Sequence, residues 1–203
     1  SRVLGEGVFF ALDDDQIKKW SLQRTIQERS AEILEAFRTN LKAQGQDYDE
    51  QEIKITPEFI LLHTLSHLLI HQLSLTSGYN AASIRERIYC GGSNPEMNGV
   101  LIFTGTSDSD GTLGGLSRLA ESDLFQDVLL GAVNGAKWCS SDPLCYDGIL
   151  STSETLNKAA CHSCALLPET SCSYFNRFLD RAFVVGLPDE PQLGYFSSLL
   201  EEN

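Results

Sequence analysis

Four cysteines in the last third of the chain, Cys139, Cys145, Cys161 and Cys164, constrain its fold more than any other feature. They read C-x5-C, then fifteen residues, then C-x2-C. Each close pair can turn both sulfurs toward one small ion. Two such hooks on separate loops supply the four soft ligands, about 2.3 Å from one centre, that tetrahedral zinc takes. The competing reading is ordinary buried thiols, which pack as small inert hydrophobes. C-x2-C is a common chelating turn and C-x5-C a less typical one. His162 lies inside the second hook and Cys172 eight residues beyond Cys164, so either could replace one of the four. Four thiolates leave no open coordination position, so such a zinc is structural and does not activate water. A redox C-x-x-C is a weaker reading, because Cys161 does not follow a predicted strand. Cys90, just before two glycines, reads as a buried free thiol.

The rest of the composition makes zinc a local staple. A chain of 203 residues with 42% apolar content can bury a real core. Six cysteines without a secretory signal, bunched in hooks, favour metal over disulfides and predict a cytoplasmic protein. The chain opens on Ser1 and its one methionine is Met97, so it reads as a piece of something longer. The longest apolar stretch, residues 59–75, is broken by three histidines, two serines and a glutamine and does not read as a membrane span. The net charge is −13, from 28 acidic and 15 basic residues. That argues against binding nucleic acid by bulk electrostatics, which needs a basic stripe, but leaves room for a partner that holds the nucleic acid.

Strand and helix signals alternate along the chain. Residues 5–12 read as a glycine-led strand. Asp13, Asp14 and Asp15 then open one long helix reaching about residue 44. Thr56 followed by Pro57 marks the start of an apolar, buried helix that runs to about residue 77. Short strands are predicted at 84–89 and 100–104, and helices at 116–134, 153–160 and 171–183. The expected fold class is α/β, a small mixed sheet flanked by long helices, with a four-cysteine C-terminal lobe at 136–183 inside one domain spanning 1–203.

Three other constellations carry weaker signals. His63, His67 and His71 recur every four residues and share one helix face. His63 and His71 stand about 12 Å apart, too far for one ion, so only neighbours could chelate. The zincin pattern needs Glu after the first His, where Thr64 and Leu68 stand. The plainer reading is a hydrogen-bonded polar seam with Ser66 and Ser74. Residues 105–115 form a glycine-rich loop whose Asp108 and Asp110 are the best carboxylates for a second site. It lacks both G-K-[S/T] and EF-hand spacing, so a turn loop is the plainer reading. Asp180 and Arg181, adjacent on the predicted last helix with Asn176, must each pair elsewhere. Arg85, Glu86 and Arg87 read as an ion network.

The run C-H-S-C-A-L-L-P-E-T-S-C-S-Y-F-N-R-F-L-D-R, residues 161–181, resembles the zinc-binding (MZB) domain at the C-terminus of MrfA-type DNA helicases. It is most similar to the relatives of that domain in the DrmB-like proteins of the DISARM antiphage systems. G-E-G-V-F-F, L-L-H-T-L-S-H, I-R-E-R-I-Y and D-S-D-G-T-L-G-G-L extend the resemblance over nearly the whole chain. It implies one structural Zn2+ on Cys139, Cys145, Cys161 and Cys164, and a non-catalytic module beside an SF2-type helicase (DrmA-like) that meets DNA through the complex. It implies neither a membrane nor a small-molecule substrate, and no helicase motor motif stands in this chain. The alternative, from a different class, is a cryptic phosphodiesterase or nuclease using His63 or His67 with Asp108 or Asp110. That reading requires these groups to converge in one cleft.

Overall fold

The computed structural model describes residues 5–47, 54–90, 97–104, 115–150 and 156–201. The chain begins with strand β1 (Gly7–Ala11) and helices α1 (Asp14–Ser21) and α2 (Arg24–Ala43). Helix α3 (Pro57–Ser77) and strands β2 (Ile84–Tyr89) and β3 (Gly99–Thr104) follow. Then come α4 (Gly115–Arg118), α5 (Ser122–Gly135), a long stretch of turns, α6 (Ala182–Val185) and α7 (Ser197–Glu201). The strands form one sheet in the order β1-β3-β2. The α/β architecture, with its small sheet, long helices and C-terminal cysteines, is the expected one. The sheet itself is antiparallel throughout.

Helix α3 is the centre of the core. The Thr56 hydroxyl accepts from the Phe59 amide, Pro57 fills the first turn, and Gly78 ends the helix at φ +75°. Ile60, Leu61, Leu62, Leu65, Leu69, Ile70 and Leu73 are fully buried, so α3 is apolar on every side. It packs on β2 and β3 and against α1, α2, α5 and α6. Its length and hydropathy would suit a membrane span, but most of it is enclosed by the fold, as befits a core helix. The sheet turns Val8, Ile84, Val100 and Ile102 inward. Glu86 stands on that same inward face, between Ile84 and Ile88, and is buried. Arg85 and Arg87 are exposed on the opposite face, and of the three charges expected in an ion network Glu86 joins one, with His63 and His67.

The one long helix expected from Asp13 to about residue 44 is two helices. Ile17 and Ile26 are both buried. Nine residues at about 100° each would put them on opposite faces of a single straight helix. The break at Leu22 and Gln23, where Gln23 is extended, lets both reach the core. The Gln27 side chain then donates to the Ser21 carbonyl at 2.7 Å, satisfying an orphan at the α1 terminus. The helix expected at 116–134 is likewise split into α4 and α5. Of the piece predicted at 153–160, residues 153–155 lie outside the described residues, and 156–160 are not helical.

The helix expected at 171–183 is replaced by turns ending in the short α6. Phe175, Asn176 and Phe178 have positive φ, a conformation that costs L-residues roughly 1–2 kcal/mol each and stops an α-helix. Side chains supply the hydrogen bonds a helix would have made. Asn176 exchanges two bonds with the Leu167 backbone, at 2.8 and 2.9 Å. Asn157 bridges the Asn176 carbonyl and the Leu179 amide. These bonds, with Phe178 fully buried, override the helical period of the segment.

Candidate metal centre

The turns after α5 carry the first hook. The Cys139 amide donates to the Asp142 carboxylate at 2.9 Å, and the Cys145 amide to the Ser141 carbonyl at 3.0 Å. This curls C-x5-C into a near-helical turn with both sulfurs on one side. The second hook closes by donation of the Cys164 and Ala165 amides to the Cys161 carbonyl. Amides also point at sulfur, from Ser141 to Cys139 and from Cys161 to Cys164, each at 3.4 Å.

The hooks meet face to face. Cys139 and Cys161 sulfurs lie 3.6 Å apart, Cys145 and Cys164 3.7 Å, and Cys161 and Cys164 3.9 Å. All four sulfurs lie within 4.8 Å of one another, and the cysteines are free. A disulfide would bring two sulfurs to about 2.05 Å. A tetrahedron with arms of about 2.3 Å has edges of roughly 3.8 Å, which fits these separations. The donor set and its geometry therefore fit zinc. His162 is exposed, and Cys172 joins a different cluster, so neither takes a place among these four.

The electrostatics single out Cys164 as the thiolate, while Cys139 and Cys145 are held toward the thiol form. A hydrogen bond from Cys145 pulls the Cys164 thiol down to about 6; burial opposes this, while the Cys161 amide and the Arg181 charge assist it. The donating Cys145 thiol is pushed up, first by that bond and then by burial. Arg181 is buried, donates to Asp142 at 2.7 Å and to the Ala136 carbonyl at 2.8 Å, and brings positive charge to the sulfurs. Asp142 thus holds both the hook backbone and this cation. The sequence offered no signal for Asp142, because its partner lies 39 residues away. Asp180 pairs with Arg29 of α2 at 2.5 and 3.1 Å. Asp180 and Arg181 do each pair elsewhere, as expected, though from a turn and not a helix.

The histidine seam is buried and hydrogen-bonded. His63 and His67 have no solvent exposure, and both Nε2 atoms face Glu86 Oε1, at 3.1 and 3.3 Å. His67 Nδ1 meets the Ala165 carbonyl at 2.8 Å, and His71 Nε2 the Leu166 carbonyl at 3.2 Å. Burial lowers the His67 pKa, but the Glu86 charge and the hydrogen bonds to Cys172 and Glu86 together outweigh it and raise the ring to about 10. Burial raises Glu86, but the two histidines hold it well below the usual carboxylate range. His67 therefore faces protein groups on both nitrogens. Asp108 and Asp110 lie outside the described residues, and no described contact favours the nuclease reading. Cys90 is half-buried, with burial pushing its thiol up to about 11.

Residues 65–165 match the family described as the MrfA Zn-binding domain, a span that takes in both hooks. Over 200 residues, 98% of the chain, the sequence is 38% identical to "DISARM protein DrmB" of Bacillus paralicheniformis. The chain spans about a third of that relative, 34% of its length. Residues 65–165 are thus a domain of the MrfA Zn-binding (MZB) family, whose zinc chemistry the four-sulfur cluster inside them matches.

Proposed function

We propose that this chain is a non-catalytic, zinc-stapled module of a DISARM-type antiphage defence protein, working in the cytoplasm beside an SF2-type helicase (DrmA-like) that recognises foreign DNA. Cys139, Cys145, Cys161 and Cys164 hold its zinc, within a lobe at 136–183 of one domain. The observation that carries this reading is the closed set of four sulfurs, which leaves no position for a water or a substrate. When bound, the ion supplies a cross-link between the two hooks. The chain's own residues do the rest: Asp142 sets the first hook and Arg181 offsets the charge of the thiolates.

Similarity to a protein named for DISARM supports the defence role. The net charge of −13 supports contact with DNA through a partner. The first hook also exposes Trp138, Leu144, Ile149 and Leu150, large apolar side chains of the kind that anchor protein interfaces. Co-purification of the full-length protein with the helicase of the same defence locus tests the proposal. We expect a stable complex that Trp138→Ala or Ile149→Ser weakens at least tenfold without loss of fold. Failure of the intact proteins to associate at physiological salt sinks the helicase partnership.

A further inference from the structure

A second group of metal-ligand side chains lies apart from the four cysteines. His63 and His67 come from α3, Glu86 from β2, and Cys172 from the turns after the second hook. All four are buried, and their ligand atoms lie within 4.8 Å of one another. We infer that His63, His67, Glu86 and Cys172 form a second metal site, taking a divalent ion of the zinc class.

The hydrogen bonding requires something positive at the centre of this group. A carbonyl only accepts, so His67 Nδ1, 2.8 Å from the Ala165 oxygen, must carry the proton. In the neutral ring Nε2 then offers only a lone pair, and it faces Glu86 Oε1 at 3.3 Å, another acceptor. The same oxygen lies 3.1 Å from His63 Nε2, which in turn lies 3.2 Å from Cys172 Sγ. Two nitrogens, one oxygen and one sulfur thus converge. A tetrahedral ion with arms of about 2.0–2.1 Å to nitrogen and oxygen has edges of roughly 3.4 Å, close to these spacings. Imidazole, carboxylate and thiolate together are a donor set that zinc accepts.

The surroundings are arranged as for a ligand set. Ser66 binds Glu86 Oε2, leaving Oε1 as the inward atom. The Ala165 carbonyl fixes the tautomer of His67, as an outer partner does for a metal-bound imidazole. The amides of Tyr174 and Asn176 both point at Cys172 Sγ at 3.3 Å, the same support the hook sulfurs receive. These two bonds need the turn around residue 175, which accounts for the left-handed residues there. His63 is packed between Phe59 and Tyr174, and its Nδ1 has no hydrogen-bond partner among the described residues, so its ring is set from the Nε2 side. A cleft of about 700 Å3 lined by Glu86, Cys172 and Tyr174 gives an approach from solvent. With four protein ligands the ion would be structural, tying core helix, sheet and C-terminal lobe together.

The competing arrangement is a proton on His67 in place of the metal. Zinc analysis with X-ray absorption on the purified protein, equilibrated with excess Zn2+ and freed of loose metal, separates the two. We expect two equivalents per chain and mixed sulfur with nitrogen or oxygen ligation. Cys172→Ser and Glu86→Gln should each drop the content to one equivalent and leave sulfur-only ligation. One equivalent with sulfur-only ligation in the folded wild-type protein overturns the second site and leaves the four-cysteine site intact. One equivalent with mixed ligation supports the second site and removes the first. Two equivalents retained in both variants also overturn the inference. If the variants fail to fold, the wild-type stoichiometry and ligation still decide.

Discussion

Arg181 shows how much depends on a single side chain of the lobe. It is buried, yet its charge is met by Asp142 and by the nearby sulfurs. Removing one partner of a buried pair strands the other charge, at a cost of about 3–5 kcal/mol. We therefore expect Arg181→Met to lower unfolding free energy by about 3 kcal/mol in urea denaturation. An effect below about 1 kcal/mol would mean the pair is effectively solvated. Glu6 gives a pH-dependent counterpart. Burial raises its pKa, but hydrogen bonds from Tyr79 and Ser117 outweigh this and leave it lowered. A carboxylate with a depressed folded pKa stabilises the fold above its unfolded value of about 4.3 and loses that contribution as the pH falls through the folded value. Tyr79→Phe should therefore cost more stability at pH 7 than at pH 3. An equal loss at both would assign the effect to packing.

At the scale of elements, α3 was legible and the last predicted helix was not. Thr56, Pro57 and Gly78 mark the ends of α3 through local chemistry, independent of the rest of the fold. A Cβ added at Gly78 would meet no neighbour within 4 Å, so the role of this glycine is conformational. Gly78→Ala should cost about 1 kcal/mol and Gly78→Asn less, measured by thermal or chemical unfolding. Residues 171–183 carry a helical pattern too, but Asn157, Asn176 and Cys172 redirect their backbone. The asparagine bonds among these span nine to twenty-two residues, beyond the reach of a periodicity argument. Glu86 did carry a signal. In I-R-E-R-I it alternates in phase with Ile84 and Ile88, which puts a carboxylate on the core face.

Over the whole molecule, several ties join the cysteine-bearing segment to the core. They include the Arg29–Asp180 ion pair, the Ala165 and Leu166 carbonyls on His67 and His71, and the Thr64 hydroxyl on the Asp180 amide. Loss of metal should therefore be felt beyond the hooks. Saturation at a thousand times Kd contributes about 4 kcal/mol. Its removal by a strong chelator should lower Tm by roughly 10 °C in a chain of this size. Hydrogen exchange should quicken first at the amides of Cys139, Cys145 and Cys164 and then at Ala165. A chelator that leaves Tm unchanged while removing all metal would deny any staple.

The sequence by itself determined what local chemistry can specify. That includes the two cysteine hooks, the ends of α3, the three strands and the membership of a zinc-binding family. It could not decide which distant groups would meet. The tertiary structure alone brought Glu86 and Cys172 onto the histidine face and set Asp142 against Arg181. It also broke the first long helix so that Ile17 and Ile26 could share one core. The physical reason is common to all of these. Burial makes each polar group find a partner and each apolar face find cover, and those partners are fixed by packing across the whole chain.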